Sequence, residues 1–302
     1  MAAGGSSSSK PTNNNKVLRV WEMLDANDRA RMAYKRLLAR PTMLEVAKNV
    51  ICLLLWMETT IGVKVLQQVL EEMMSRDDDD DPCNKQQKHY QLALLIKEAD
   101  GLYSYLLDEP DDALPEPLVC NIPTIVSLCG GGGRLLDFRF FKVHKQVVAR
   151  GVAVIRDTVA ALVFNEHLHA MLRDFEDDLH SSLMSQPAPA LELMERFVPM
   201  STTPPEDSRM VFLAFSVSKK AGRRAHGISS QDIIHHFEGV FGFPRHIERV
   251  EIEQPCTGQD SKHGIILFKS PEKMKEAMFG ETSAFFRIKS HDIWMQCYMP
   301  PF

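Results

Sequence analysis

Residues 209–216 read Arg-Met-Val-Phe-Leu-Ala-Phe-Ser, and residues 261–268 read Ser-Lys-His-Gly-Ile-Ile-Leu-Phe. Both runs are rich in β-branched and aromatic residues, a composition typical of strands. Between them, residues 247–253 alternate apolar and charged side chains with a period of two, which predicts a half-buried strand. These three predicted strands place a sheet in the C-terminal part of the chain.

Two helices and a last strand complete this part. Ser229-Ser-Gln-Asp232 forms a capping box, in which a serine oxygen and a carboxylate satisfy backbone donors of the first helical turn. Ser270-Pro271 predicts the second helix, because proline is favoured at the first helical position. A last strand is predicted over 292–299. The order βαββαβ predicts a ferredoxin-like domain over 208–302, with helices on one face of its sheet and the other face open.

The rest of the chain is predicted to be mostly helical. Thr42-Met-Leu-Glu45 reads as a capping box that opens a helix, with an interruption at Gly62. A second helix is predicted over 85–107, and a third after residues 130–133, with a break at Gly151. We therefore expect an α+β protein. Its predicted parts are a disordered tail (1–15), an all-α bundle (16–185), a Pro-rich linker (186–207) and the sheet domain (208–302).

Charge and composition narrow the class of protein. The net charge of −5 argues against a uniformly basic nucleic-acid coat. From Glu206 onward the chain has 13 Lys and Arg against 12 Asp and Glu, so the acidic excess lies before this residue. No segment approaches about 18 consecutive apolar residues, so no membrane span is predicted. The six cysteines lack a C-x-x-C pair, which indicates a reducing, intracellular location, with nucleus or cytoplasm left open.

No motif in the sequence carries a recognisable chemistry. The glycines at 130–133 lack the Lys-Ser/Thr of a phosphate-binding loop. His167 and His169 would point away from each other on a helix, so they cannot share a metal ion. The sequence therefore predicts no catalytic residue, no cofactor and no metal site. One predicted helix carries positive charge, which indicates a solvated face or a site for phosphate or an acidic partner; its residues are Arg139, Lys142, His144, Lys145, Arg150 and Arg156.

The C-terminal part resembles the RNA recognition motif. Val211 to Ser216 lies where the family has its short strand-1 signature, and residues 261–268 lie on its eight-residue strand-3 signature. Residues 44–62, which contain Leu-Leu-Trp-Met-Glu, extend the likeness to a plant-specific, poorly characterised group with a helical region before a divergent RNA recognition motif. Two features depart from the family. His263 and Ile265 replace its outward stacking aromatics, and the first helix is one residue longer.

The resemblance implies that the open sheet face binds single-stranded RNA, since stacking on aromatic rings contributes about 1–3 kcal/mol per base. Because side chains alternate between the two faces of a strand, Phe212, Trp294 and Tyr298 are predicted to point towards that face. Because two stacking positions have changed, we expect weak or unspecific binding. The predicted base contacts are Phe212, His263, Ile265, Trp294 and Tyr298, and the predicted phosphate contacts are Lys219, Lys220, Arg223, Arg224 and Lys262.

A second interpretation belongs to another class of function. Aromatic and aliphatic side chains on a sheet also serve packing or protein binding. Ile265, Leu267 and Trp294 can bind a partner peptide, or the face can pack on the helical region of the same chain. Glu251 and Glu253 suit an apolar or basic partner better than a polyanion. The sequence thus predicts a non-catalytic protein that binds RNA or, as the alternative, a protein-interaction module.

Overall fold

The computed structural model describes residues 18–39, 42–74, 82–107, 121–129, 135–181, 188–217, 227–241, 246–254 and 260–302. The predicted tail over 1–15 lies outside these residues, as do Lys219, Lys220, Arg223 and Arg224. Within the described residues the chain is an α+β protein, as predicted, with many helices and one antiparallel sheet in its C-terminal part. None of the described helices is both long enough and apolar enough to cross a membrane.

Most of the described helices precede the sheet in the chain, and the last two lie between its strands. Two π-helical turns, Met57–Ile61 and Arg156–Ala160, and a 3₁₀ turn, Pro205–Arg209, lie between them. The helices are α1 (Val20–Ala26), α2 (Asp28–Leu38), α3 (Leu44–Trp56), α4 (Val65–Met74), α5 (Pro82–Leu107), α6 (Pro123–Leu128), α7 (Phe138–Val143), α8 (Lys145–Ile155), α9 (Ala161–Val163), α10 (Glu166–Ser181), α11 (Leu191–Met194), α12 (Ser230–Phe241) and α13 (Pro271–Ala277).

The sheet has five antiparallel strands in the order β2-β3-β1-β5-β4. Its central strand is therefore β1, which pairs with β3 on one side and β5 on the other. A two-residue turn at Lys289 and Ser290 joins β4 to β5, and Lys289 adopts a left-handed φ of 53°. The strands are β1 (Met210–Val217), β2 (Ile247–Ile252), β3 (His263–Phe268), β4 (Ser283–Ile288) and β5 (His291–Cys297).

The described residues form two compact units. The first is built from the described parts of Met1–Ala26 and Asn165–Val198, and it contains α1, α10 and α11. The second combines Asn27–Phe164 with Pro199–Phe302, so it joins most of the helices to the whole sheet. These units are defined by which residues pack together, whereas the linker over 186–207 is predicted from amino-acid composition. The predicted domain division stays a prediction.

The core beneath the sheet follows the predicted alternation. Val211 and Leu213 of β1, with Ile266 of β3, are fully buried on the face that α12 and α13 cover. The ring of Phe237 from α12 packs among them, with its centroid 6.3 Å from that of Phe268. Alternate residues of these strands therefore point to the opposite face, which we call the outer face of the sheet.

Helix starts and breaks match the sequence only in part. The capping box at Ser229 is confirmed, because its Oγ accepts from Asp232 N and its N–H donates to Asp232 Oδ2. The box predicted at Thr42 is wrong: α3 begins at Leu44 after an extended Met43, without a side-chain cap. The break predicted at Gly151 is also wrong, since the helix is interrupted at His144 instead.

Candidate functional site

The candidate site is the outer face of the sheet, because the predicted RNA contacts from the strands lie there. In the register of the sheet, Phe212 pairs with Ile265 on one side and Gln296 on the other. Trp294 lies two residues from Gln296, and its partner on β4 is Phe285. The alternation of β1, β3 and β5 therefore brings the predicted aromatic residues onto one surface, as expected.

Phe212 lies in the centre of this face and is fully buried. Phe140 of helix α7 and His144, which lies between α7 and α8, cover it. Its ring centroid lies 5.0 Å from that of Phe140 in an edge-on arrangement and 4.9 Å from that of His144. On its other side the ring of Tyr298 is 5.5 Å away. The prediction that Phe212 faces solvent is wrong, because helices pack on the second face of the sheet as well as on the first.

Tyr298 is buried in the same contact, so its predicted exposure is also wrong. Its backbone N–H donates to Met210 O at 2.9 Å, which continues the pairing of β5 with β1. Its hydroxyl and Trp56 Nε1 both lie against Gly151 of α8, where a side chain has no space: a Cβ at Gly151 would meet these atoms at 2.6 and 2.4 Å. Burial raises the pKa of the Tyr298 phenol above its ordinary value. Only a glycine lets these three segments approach so closely.

His263 is the third predicted contact that is buried rather than exposed. Its Nε2 lies 2.9 Å from Asp137 Oδ1, and the same carboxylate oxygen accepts from Phe140 N at 2.7 Å as the N-cap of α7. Burial alone would raise the pKa of Asp137. The hydrogen bond and the charge of His263, together with the hydrogen bond from Phe140 N, outweigh that effect, and the pKa is lowered. One carboxylate thus both caps a covering helix and binds the end of β3.

His144 lies at the centre of the contact, between α7 and α8. Among the described residues neither of its ring nitrogens has a hydrogen-bond partner, while its ring packs on Phe140 and Phe212. The ring of His263 is 6.2 Å away. Burial, with a smaller contribution from the charge of His263, lowers the pKa of His144 to about 3. His144 is therefore neutral at pH 7 and packs as an aromatic ring.

Charged pairs surround this apolar centre. Arg139 of α7 forms an ion pair with Glu253, and its Nη2 donates to Asp260 O at 2.9 Å. Arg150 of α8 pairs with Asp207 at 2.8 Å. Arg139 and Arg150 therefore bind acidic residues in the C-terminal part of the same chain. For these two arginines, the structure agrees with the interpretation of the basic helix as a site for an acidic partner rather than as a solvated face.

One strip of the outer face has remained accessible. Trp294 is half-buried, whereas Phe285, opposite it on β4, is 49% exposed. Arg287 of β4 is exposed and pairs with Asp292 of β5 through a 2.7 Å contact. We call Phe285, Arg287, Asp292 and Trp294 the uncovered strip. Of the other predicted contacts, Ile265 is half-buried and Lys262 is exposed.

The residues that cover the sheet are not among those predicted from the sequence. Phe140, Gly151 and Trp56 carried no recognisable signal of this role, because helical periodicity does not say which sheet a helix packs on. A weak signal was present in the outer face itself. Its predicted members Phe212, Ile265, Leu267 and Tyr298 are largely apolar, as expected for a surface that is covered by protein.

No family model, curated protein or solved structure matches the chain. The resemblance to the plant-specific group and to the RNA recognition motif therefore stays a prediction from the residues given above. Within the described part of the chain, no three His, Cys, Asp or Glu side chains come together as they would around a metal ion.

Proposed function

We propose that this chain is a non-catalytic protein-interaction module, in which a domain resembling the RNA recognition motif uses its sheet face to bind helices of its own chain. The order β2-β3-β1-β5 of antiparallel strands, with α12 and α13 on one face, supports a ferredoxin-like topology. In this interpretation β4 is an addition at the edge of the sheet, paired to β5.

One observation carries this proposal: Phe212, His263 and Tyr298 are all buried by helices α7 and α8 and by Trp56. The contact has the composition of a protein–protein interface, with aromatic side chains in its centre and ion pairs around them. A base that stacked on Phe212 or Tyr298 would first have to displace these helices. The centre of the face is therefore occupied by protein in the folded chain, and only the uncovered strip is accessible.

Nitration of tyrosine in the intact chain tests whether this face is covered in solution. Tetranitromethane should modify Tyr90, which is 63% exposed, and should leave Tyr298 unmodified. Replacing Phe140 by Asp places a carboxylate against Phe212 and should make Tyr298 reactive. Phe285→Asp is the matched control on the uncovered strip and should keep Tyr298 protected. Nitration of Tyr298 at the rate of Tyr90 in the wild-type chain would overturn the proposal.

RNA binding on the uncovered strip is the second candidate function. Trp294 and Phe285 lie opposite each other on neighbouring strands, which is an arrangement suited to stacking a base, and Arg287 can reach a phosphate. The strip supports a small contact, because it has two rings and its arginine is already paired with Asp292.

A titration of fluorescein-labelled single-stranded RNA pools with the intact chain separates the two candidates. The protein-interaction proposal predicts no saturable anisotropy change up to about 10 μM protein at physiological salt. Saturable binding that weakens with salt and is lost in Trp294→Ala would favour the strip. Saturable binding that Trp294→Ala leaves unchanged would contradict both candidates as they are placed here.

A further inference from the structure

The first compact unit has an open apolar groove of about 560 Å³. This volume lies within the range of sites that hold ligands or side chains of a partner. Leu193 at the groove is fully buried, but Trp21 and Leu179 are 38% and 45% exposed. Large apolar side chains therefore face water. The apolar lining consists of Trp21, Phe175, Leu179, Pro189, Leu193 and Met194.

The frame of this groove is fixed by backbone hydrogen bonds. The segment before α1 and the segment after α11 form an antiparallel bridge between Arg19 and Arg196. Val20 N donates to Glu195 O at 3.0 Å, and Phe197 N donates to Leu18 O at 2.8 Å. The groove thus lies on hydrogen-bonded backbone and on the long helix α10, which is a preformed surface that loses little entropy on binding.

The unit around the groove is strongly acidic. Its described residues carry nine acidic side chains against three arginines, a net charge of −6 with histidine neutral. In α10 the two groove residues Phe175 and Leu179 are interleaved with exposed carboxylates. A partner of opposite charge is therefore attracted to this surface. The acidic residues are Glu22, Asp25, Glu166, Asp174, Glu176, Asp177, Asp178, Glu192 and Glu195.

The position of these carboxylates within α10 is unfavourable for the helix itself. Asp177 and Asp178 lie near its C-terminal end, where the helix dipole favours cations. Asp174 and Asp178 are also four residues apart, so their like charges repel each other on one face. A cationic side chain of a partner placed beside them would relieve both effects. The charge pattern therefore favours a cationic partner in the groove over a neutral or an anionic one.

We propose that this groove binds a basic amphipathic peptide segment of another protein. Its apolar side chains insert between Trp21, Phe175 and Leu179, and its Lys or Arg side chains pair with Asp174 and Asp178. This inference is independent of the proposed function of the sheet, because all of these residues belong to the first unit.

Fluorescence anisotropy of two labelled helical peptides with the intact chain tests this proposal. Both peptides have about 14 residues and the same leucine positions at helical spacing, and their polar positions are Lys and Arg in one and Glu and Gln in the other. The basic peptide should bind and the acidic peptide should not. Raising the salt from about 0.05 to about 0.5 M should weaken binding, because screening shortens the reach of the carboxylates.

Three variants identify the binding surface. Leu179→Gln should lower the affinity for the basic peptide about tenfold or more, because one apolar contact is lost. Asp174→Asn with Asp178→Asn should weaken it and reduce its salt dependence. Leu44→Gln is the matched control, since Leu44 is 50% exposed and lies in the second unit; it should bind as the wild type does.

Three results would overturn the proposal. These are no binding of the basic peptide, equal binding of both peptides, and binding that Leu179→Gln does not change while circular dichroism shows an intact fold. Light scattering adds one more decisive measurement. A wild-type dimer that becomes monomeric in Leu179→Gln would assign the groove to a second copy of this chain instead.

Discussion

Arg150 of α8 binds both carboxylate oxygens of Asp207. Its Nη2 donates to Oδ1 at 2.8 Å, and its Nε donates to Oδ2 at 3.3 Å. The side chain of Asp207 is 1% exposed, while that of Arg150 is 38% exposed. The guanidinium therefore compensates a buried negative charge and joins a covering helix to the 3₁₀ turn before β1.

Removing this arginine should destabilise the second unit. Arg150→Ala leaves the Asp207 carboxylate buried without its partner, and we expect the free energy of unfolding to fall by about 2–3 kcal/mol in urea titrations. Lys48→Ala is the control, because Lys48 and Glu45 form an exposed pair whose loss should change stability by about 0–1 kcal/mol. Equal effects of the two substitutions would show that Asp207 is not buried in solution.

Gly151 should not tolerate a methyl group. Alanine normally stabilises a helix relative to glycine by about 0.5–1 kcal/mol. At Gly151, however, the new Cβ would overlap Trp56 Nε1 and the Tyr298 hydroxyl, so we expect a loss of about 1–3 kcal/mol. Gly239→Ala in α12 is the matched control, since nothing lies within 4 Å of its added Cβ, and it should stabilise the chain. Thermal unfolding should therefore give a lower melting temperature for Gly151→Ala and a higher one for Gly239→Ala than for the wild-type chain.

The burial of Phe212 can be measured by truncation. Phe212→Ala should lower the free energy of unfolding by about 3–5 kcal/mol, because it opens a cavity between the sheet and Phe140. Phe285→Ala removes the same ring from the uncovered strip, where 49% of the residue is exposed, and should have a smaller effect. If Phe212→Ala lowers the free energy of unfolding no more than Phe285→Ala does, the helices do not cover the centre of the face.

The buried ring of His144 should make stability depend on pH. Its pKa is about 3 in the folded chain, against an ordinary value near 6.5. Between these values the unfolded chain binds a proton that the folded chain does not, so stability falls as the pH is lowered and levels off below pH 3. From pH 6.5 to 5 this amounts to about 2 kcal/mol, at roughly 1.4 kcal/mol per pH unit.

The variant His144→Leu isolates this effect. It should lose the additional decline in stability between pH 7 and pH 5, measured by urea unfolding at each pH. The neighbouring acid Asp137 contributes at lower pH, because its lowered pKa makes its stabilising contribution disappear only below its ordinary value of 3.8. A wild-type pH dependence in His144→Leu would contradict the predicted role of this histidine.

Local patterns predicted the side of the sheet on which a residue lies, but not what covers that side. The period of two placed Val211 and Leu213 beneath α12 and α13, and Phe212 on the outer face, as found. Whether the outer face meets water depends on contacts with residues more than fifty positions away, such as Phe140 and Trp56. Such contacts leave no local signature, because they depend on the shapes of both surfaces.

Two further differences have local causes. Strand β4 was missed because adjacent Phe285 and Phe286 break the expected alternation, and the turn that follows has Lys289 in the left-handed conformation rather than the usual glycine or asparagine. Gly151 suggested a helix break by its low propensity. It lies within α8 instead, because the approach of Trp56 and Tyr298 requires a residue without a side chain.

The helical cover on Phe212 and Tyr298 also decides how the last hundred residues behave when they are cut from the rest. Excised at about residue 206, this piece would turn two large rings and their apolar neighbours to solvent and should self-associate. Nucleic acid or any other polymer that binds to this fragment would therefore bind a surface that helices cover in the intact polypeptide.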